Sequence, residues 1–350
     1  MNTRSLQLVF LGSLAGFVAG LSPVSARPKT DVLHMKNGDK ITCEIKRMEH
    51  GQLLVKTDYT KGTLTINWEK IERVESKQLF VLETERGNYY SGEIRTDTKE
   101  SQNVEVTLGG TQTVLRQKMV VNMEQLGRGF IGRMKGAVDY GFSFARANKQ
   151  TQSTLHLDLN SRSENTYTSF VADSLLSATA GVDTNRHSAS TSFSHRLGSS
   201  NWSLITLATA LSSDQQQLDL RTNLGGGVER RFIYTNRNYL IGTFGAVYTK
   251  EKFSELFGDT NHFNSAEGAL GLKHSSFRFD STEWINTLWV YPSITNRGRV
   301  RSSFDSSLYL DLVGDLYFRI GIYHNYDSRP PTDTPKIDYG ATTSIGWSFH

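Results

Sequence analysis

The chain has 350 residues, only 37% of them hydrophobic, and a mean hydropathy of −0.41. Beyond roughly the first 25 positions it has no apolar run of about 18 residues, which excludes a helical membrane protein. The net charge of +4 is mild and Lys and Arg are scattered among Asp and Glu, so no concentrated basic face for nucleic acid is expected. Cys43 is the single cysteine, which excludes an intrachain disulfide and a multi-cysteine metal site.

In chain order, the first segment reads as an export signal. Arg4 supplies the positive start, Leu6 to Leu21 the apolar stretch, and Val24-Ser25-Ala26 a small-residue cleavage site. Cleavage is expected after Ala26, the alternative being an uncleaved anchor. Residues 27 to about 130 read as a small β-rich module. Asn37-Gly38-Asp39 is a hairpin turn signal ahead of the alternating Ile41-Thr42-Cys43-Glu44-Ile45. In that strand Cys43 reads as a small apolar residue, with a reactive or intermolecular thiol as the alternative.

The module repeats itself. Arg86-Gly87-Asn88-Tyr89-Tyr90-Ser91-Gly92-Glu93-Ile94 echoes Asn37 to Ile45, and Thr113 to Met119 echoes Thr65 to Ile71, a period of about 48 residues. On its strand–Gly–strand pattern the unit resembles the Sm-like barrel, a class that binds RNA, which an exported chain would rarely meet. Gly127, Gly129 and Gly132 suggest a flexible junction.

From about residue 135 to the C-terminus the period is two. In the last segment Ile337, Tyr339, Ala341, Thr343, Ile345, Trp347 and Phe349 fall on one face, with Asp338, Gly340, Thr342, Ser344, Gly346 and Ser348 on the other. Segments starting near Lys135, Gln150, Asn165, Arg186, Asn201, Gln217, Asn238, His262, Ser281, Arg299, Asp315 and Ile337 behave alike, each of roughly 10–14 residues. The fold expected is all-β: an antiparallel transmembrane β-barrel of about 12 strands over residues 135–350, preceded by the duplicated module.

Tight connections near 162–164, 198–200, 236–237, 279–280 and 313–314 alternate with mostly longer ones at 179–185, 251–261, 295–298 and 328–336. That asymmetry and an even strand count would place both barrel ends, and the module, in the periplasm. A soluble β-sandwich also alternates. Against it stand the signal, the small residues on the polar faces, and aromatics near strand ends: Tyr239, Trp284, Trp289, Tyr291 and Trp347.

The residues expected to line the lumen are Asp139, His156, Asp158, Asp219, Arg221, Glu229, Asp305, Asp311, Arg319 and Asp338, with Arg162, Arg231, Glu267 and Lys273 on the same faces. One reading is a network of ion pairs filling a narrow barrel; the other is the lining of a selective pore. An enzyme acting on outer-membrane lipid at the lumen or rim is a third. His156 and Asp158 could pair for it, but no Gly-x-Ser-x-Gly or His-Glu-x-x-His motif is present. Gly225-Gly226-Gly227 is followed by no helix and reads as a bend or close packing. No catalytic, cofactor or metal site is expected.

The closing residues carry a family likeness. Asp327-Ser328-Arg329-Pro330-Pro331, Ile337-Asp338-Tyr339-Gly340 and Thr343-Ser344-Ile345-Gly346-Trp347-Ser348-Phe349 resemble the ending of the YdiY-like salt-induced outer-membrane proteins, from Gly136 onward. The resemblance implies outer-membrane residence and a link to salt stress, and brings no catalytic residues. Gly346-Trp347-Ser348-Phe349 also resembles the aromatic C-terminal signal read by the barrel-assembly machinery, although His350 follows where the aromatic is usually last. The function expected is a non-enzymatic outer-membrane barrel serving envelope maintenance or limited solute passage. Its partners would be outer-membrane lipid, the assembly machinery and, through the module, a periplasmic protein.

Overall fold

The computed structural model describes residues 29–60, 62–96, 102–126, 134–145, 150–163, 165–179, 182–198, 200–254, 262–278, 282–313, 315–330 and 335–349. The expected signal and the glycine junction lie outside these residues.

The module holds β1 (Asp31–Met35), β2 (Lys40–Glu49), β3 (Gln52–Lys56), β4 (Leu64–Asn67), β5 (Ile71–Thr84), β6 (Tyr89–Thr96), β7 (Asn103–Leu108), β8 (Thr111–Arg116) and β9 (Val120–Gln125). One 3-10 turn, Trp68–Lys70, precedes β5, and another, Gln117–Met119, precedes β9. The repeat is therefore structural. The first half of the long β5 pairs with β1 to close the first copy, and its second half pairs with β9 to close the second. The two turns bond to each other: Trp68 Nε1 donates to the Gln117 carbonyl at 2.9 Å, and Gln117 Nε2 donates to the Trp68 carbonyl at 2.8 Å.

Both copies share one apolar core, in which Trp68, Phe80, Ile45, Leu53, Ile94 and Met123 are fully buried. Each such side chain contributes about 1.5–3 kcal/mol. Cys43 is buried in that core, and burial pushes its thiol up to about 12.

The rest is one closed antiparallel barrel of twelve strands. They are β10 (Met134–Ala145), β11 (Gln150–Arg162), β12 (Thr166–Thr179), β13 (Val182–Arg196), β14 (Trp202–Ser213), β15 (Leu218–Tyr234), β16 (Asn238–Phe253), β17 (His262–Arg278), β18 (Thr282–Pro292), β19 (Val300–Asp311), β20 (Leu316–Asp327) and β21 (Ile337–Phe349). Each begins within one residue of expectation except β13, which starts at Val182 and not Arg186. The long connection expected at 179–185 is thus mostly strand. Val182 to Asn185 pair with Thr179 to Leu176, and backbone pairing outweighs their polar composition. β15 and β17 reach 17 residues, longer than expected.

The faces of β21 are as the alternation requires: Tyr339, Ile345 and Trp347 are exposed outward while Asp338, Ser344 and Gly346 are buried inward. The glycine run of β15 is a close-packing device. A Cβ at Gly225 or Gly227 would lie 2.1 Å from a carbonyl oxygen of β16.

The aromatics near strand ends divide between the two faces of the barrel. Trp284 and Trp347 stand on the outer surface, 48% and 51% exposed. Tyr239, Trp289 and Tyr291 instead line the interior. Strand phase, not nearness to a strand end, decides the side.

The module sits at the end of the barrel where β10 begins, called here the near end. Asn236 Nδ2 donates to the Val120 carbonyl at 2.9 Å, and the His50 ring stacks on Phe277 with centroids 3.6 Å apart and planes 6° from parallel.

Candidate functional site: the lumen

The barrel encloses a cavity of about 800 Å³ whose lining comes from both parts of the chain: strand residues such as His156, Asp305 and Arg319, and Arg47, Glu49, His50 and Tyr89 of the module. The module is its floor. Charged side chains line it in three layers.

At the far end, arginines span strands that are not neighbours. Arg221 of β15 donates to Glu251 at 2.6 Å and lies 3.7 Å from Asp327 of β20. Arg299, just before β19, donates to Glu251 at 2.7 and 3.0 Å and to Asp327 at 3.0 and 2.5 Å. Arg301 pairs with Glu267 and donates to Asn223 at 3.2 Å. On the opposite wall Arg186 of β13 lies 3.7 Å from Asp338 of β21, and Ser213 donates to the same carboxylate at 3.4 Å. β15 and β20 are five strands apart in a ring of twelve, so their pairing is a chord across the lumen. Bidentate guanidinium geometry makes such crossings rigid.

The middle layer holds Asp139, His156, Asp173, Asp305 and Arg319. His156 Nδ1 sits 2.7 Å from Asp173 Oδ1 on β12, not against Asp158 as the spacing had allowed. Directly opposed positions on paired strands, here His156 and Asp173, come closer than positions two apart on one strand. Asp158 accepts from Asn160 at 3.2 Å. Asp139 is fully buried, 3.8 Å from Arg319.

At the near end Glu83 of the module enters the barrel mouth. It accepts from Arg196 at 3.1 Å, from Arg231 at 2.5 Å and from the Tyr234 hydroxyl at 2.9 Å, and Arg162 lies 3.6 Å away. Burial works against its charge, but these guanidinium groups hold its carboxyl below the usual carboxylate range. Beside it Lys135 pairs with Glu49.

Most of the expected lumen set faces inward: Asp139, His156, Arg221 and Asp338 are buried, while Asp158, Glu229, Asp305 and Arg319 line the cavity, with Asp311 more exposed at the near rim. Asp219 does not belong to it. The pairing of β15 with β16 slips between Leu218 and Leu220, so Leu218 turns inward and is buried while Asp219 pairs with Lys252 at 3.3 Å, both half-exposed. A one-residue bulge reverses the faces that strict alternation assigns. The sequence reading missed Asp173, Arg186, Arg196, Glu251, Arg299 and Asp327, and every module residue in the cavity.

These features define a closed antiparallel barrel with an ion-paired lumen, an apolar outer face and a second domain seated in its mouth. The family model described as "Protein of unknown function, DUF481" matches residues 138–349, and the chain belongs to that family. No curated protein matches the chain. Among solved structures it is similar to the translocator domain of autotransporter NalP from Neisseria meningitidis, at 15% identity over 61% of this chain and 86% of that one, TM-score 0.31. It is also similar to the β domain of the Bordetella autotransporter Brka, at 11% identity over 62% and 97%, TM-score 0.30. A porin matches at 11% identity over 91% and 98%, TM-score 0.29.

Proposed function

We propose that the chain is a non-enzymatic outer-membrane β-barrel protein whose lumen is shut at rest, serving envelope maintenance, with its module on the periplasmic side. The observation that carries this reading is the inverted polarity of the barrel. Leu224, Phe142, Ile345 and Trp347 are exposed outside while Asp139, Glu267 and Asp338 are fully buried inside. An apolar exterior around a charged interior suits lipid outside and a polar lumen within. The chords at the far end and the module at the near end support the closed state. Lipid and the barrel-assembly machinery are the partners this reading implies. The likeness to the YdiY-like salt-induced barrels, and of each module repeat to the Sm-like unit, belong to the same proposal.

Limited solute passage is the second reading, favoured by the cavity of about 800 Å³ between the two closures. Gel mobility of the outer-membrane fraction with and without boiling tests residence. A folded barrel shifts on boiling, whereas recovery in the periplasmic extract would refute the proposal. Refolded protein in planar bilayers separates the readings: steady channel events would favour passage.

A further inference from the structure

At the near end of the lumen three guanidinium groups gather on a single carboxylate. Arg162, Arg196 and Arg231 come from the near ends of β11, β13 and β15, on one wall of the barrel, and converge on the one carboxylate of Glu83. Aromatic faces pack against all three guanidinium groups, and Glu229 is the next acid near Arg162 and Arg231. Arg162 lies over Tyr167 and Tyr234, Arg231 over Tyr234, and Arg196 over Tyr89 at 4.2 Å from the ring centre. Such packing orients a cation without cancelling its charge. Donor capacity is left over: Arg196 Nη2 is buried with no hydrogen-bond partner among the described residues. The module is shaped to this group. Gly87, at φ +80°, passes so close that a Cβ there would lie 2.8 Å from that same nitrogen. All three arginines and Tyr234 line the cavity, so a solute in the lumen can reach them.

We infer that Arg162, Arg196 and Arg231, with the Tyr234 hydroxyl, form a binding site for the carboxylate or phosphate group of a small anionic solute, and that Glu83 is a tethered ligand occupying it. Glu83 supplies what such a ligand would: two oxygens, one taking guanidinium donors from Arg196 and Arg231, the other taking the Tyr234 hydroxyl. Planar forks of this kind match carboxylate and phosphate oxygens alike. A solute that takes the site displaces Glu83 and with it a main contact between module and barrel. The module is then a self-bound lid whose release is driven by anion concentration.

The test uses the refolded full chain in detergent micelles, titrated calorimetrically with inorganic phosphate and, separately, with citrate at constant ionic strength, with chloride as the control for bulk charge. Glu83→Gln removes the internal competitor and is expected to bind phosphate or citrate at least ten times more tightly than the native chain. Adding Arg231→Gln to it should reverse the gain at least tenfold. The tighter of the two titrants identifies the group recognised. A Glu83→Gln protein that still runs as a folded, heat-modifiable barrel but binds no more tightly than the native chain overturns the inference, as does a gain that survives Arg231→Gln or is equalled by chloride. If Glu83→Gln does not refold, Glu83→Asp, which withdraws the carboxylate by one methylene, should show the same gain in smaller measure, and its absence is equally fatal. The titration needs neither a membrane nor conductance, so its failure leaves the proposed residence and resting closure standing.

Discussion

The two halves of this chain use the same period-two alternation with opposite polarity. The module folds around a dry core: Trp68, Phe80, Met48 and Leu53 are buried and its charged residues are mostly outside. The barrel turns this inside out, burying Glu267, Asp139 and Arg301 and presenting Leu224, Phe142 and Ile345 outward. In the module apolar transfer from water supplies cohesion. In the barrel backbone ladders close the ring, and each inward charge has to meet a partner. The interface between them is therefore polar and aromatic, built from Glu83, Lys135, His50 and Phe277.

The contrast breaks most directly at its extremes. Phe80→Ala, which opens a cavity in the module core, should cost about 3–5 kcal/mol, whereas Leu224→Ala on the outer barrel face leaves no cavity and should cost under about 1 kcal/mol. Urea titration with hydrogen exchange resolved by region reads both, and equal costs would mean the two halves are not built differently. Next comes Arg299→Ala. It leaves Glu251 and Asp327 buried beside one guanidinium, that of Arg221, and should cost about 3 kcal/mol in barrel stability. It should also raise the frequency of channel events in planar bilayers, because a chord across the far end is lost. Unchanged conductance with lowered stability would make the far-end layer purely structural.

A pH-dependent effect is expected at the interface. Burial pushes the His50 imidazole down to about 3, with Glu49 pulling the other way and Lys135, Arg47 and Arg162 adding to the push. Glu283 at 4.0 Å and the rings of Tyr239 and Phe277 complete its surroundings. The unfolded chain takes up a proton near pH 6.5 and the folded one does not until far lower. His50 therefore contributes fully above pH 6.5, and stability falls with the slope of one proton as pH drops below that value. His50→Gln should flatten that part of the profile by one proton. Urea midpoints between pH 7 and pH 4 that keep the native slope would show that His50 does not titrate this way.

The strands themselves were legible because each has one apolar and one polar face, a pattern that survives without any knowledge of neighbours. What lay beyond the pattern was decided by pairing. Val182 to Asn185 look like a loop in composition but are held as strand by β12. Tyr239, Trp289 and Tyr291 lie near strand ends as Trp284 and Trp347 do, yet their phase sends them inward. Asp173, the true partner of His156, sits across a strand pair and not two residues along. Glu83 is the clearest case. In its own strand it is an ordinary charged residue beside Leu82, and only the docking of one domain on another gives it three arginines. No local signal encodes that.

Asp219 and Leu218 give the finest division between inside and outside, since they are adjacent and strict alternation assigns them the wrong way round. The slip in the pairing of β15 with β16 buries Leu218 at 1% exposure, while Asp219 and its partner Lys252 keep 40% and 44% of their side chains in contact with the surroundings. An exposed pair of this kind contributes little, so Asp219→Ala should change stability by no more than about 0.5 kcal/mol. Leu218→Asp, which buries an unpaired carboxylate against Phe253, should cost several times as much, because its charge has no partner provided. If Asp219→Ala proves the more damaging of the two, the bulge is absent and Asp219 belongs to the lumen after all.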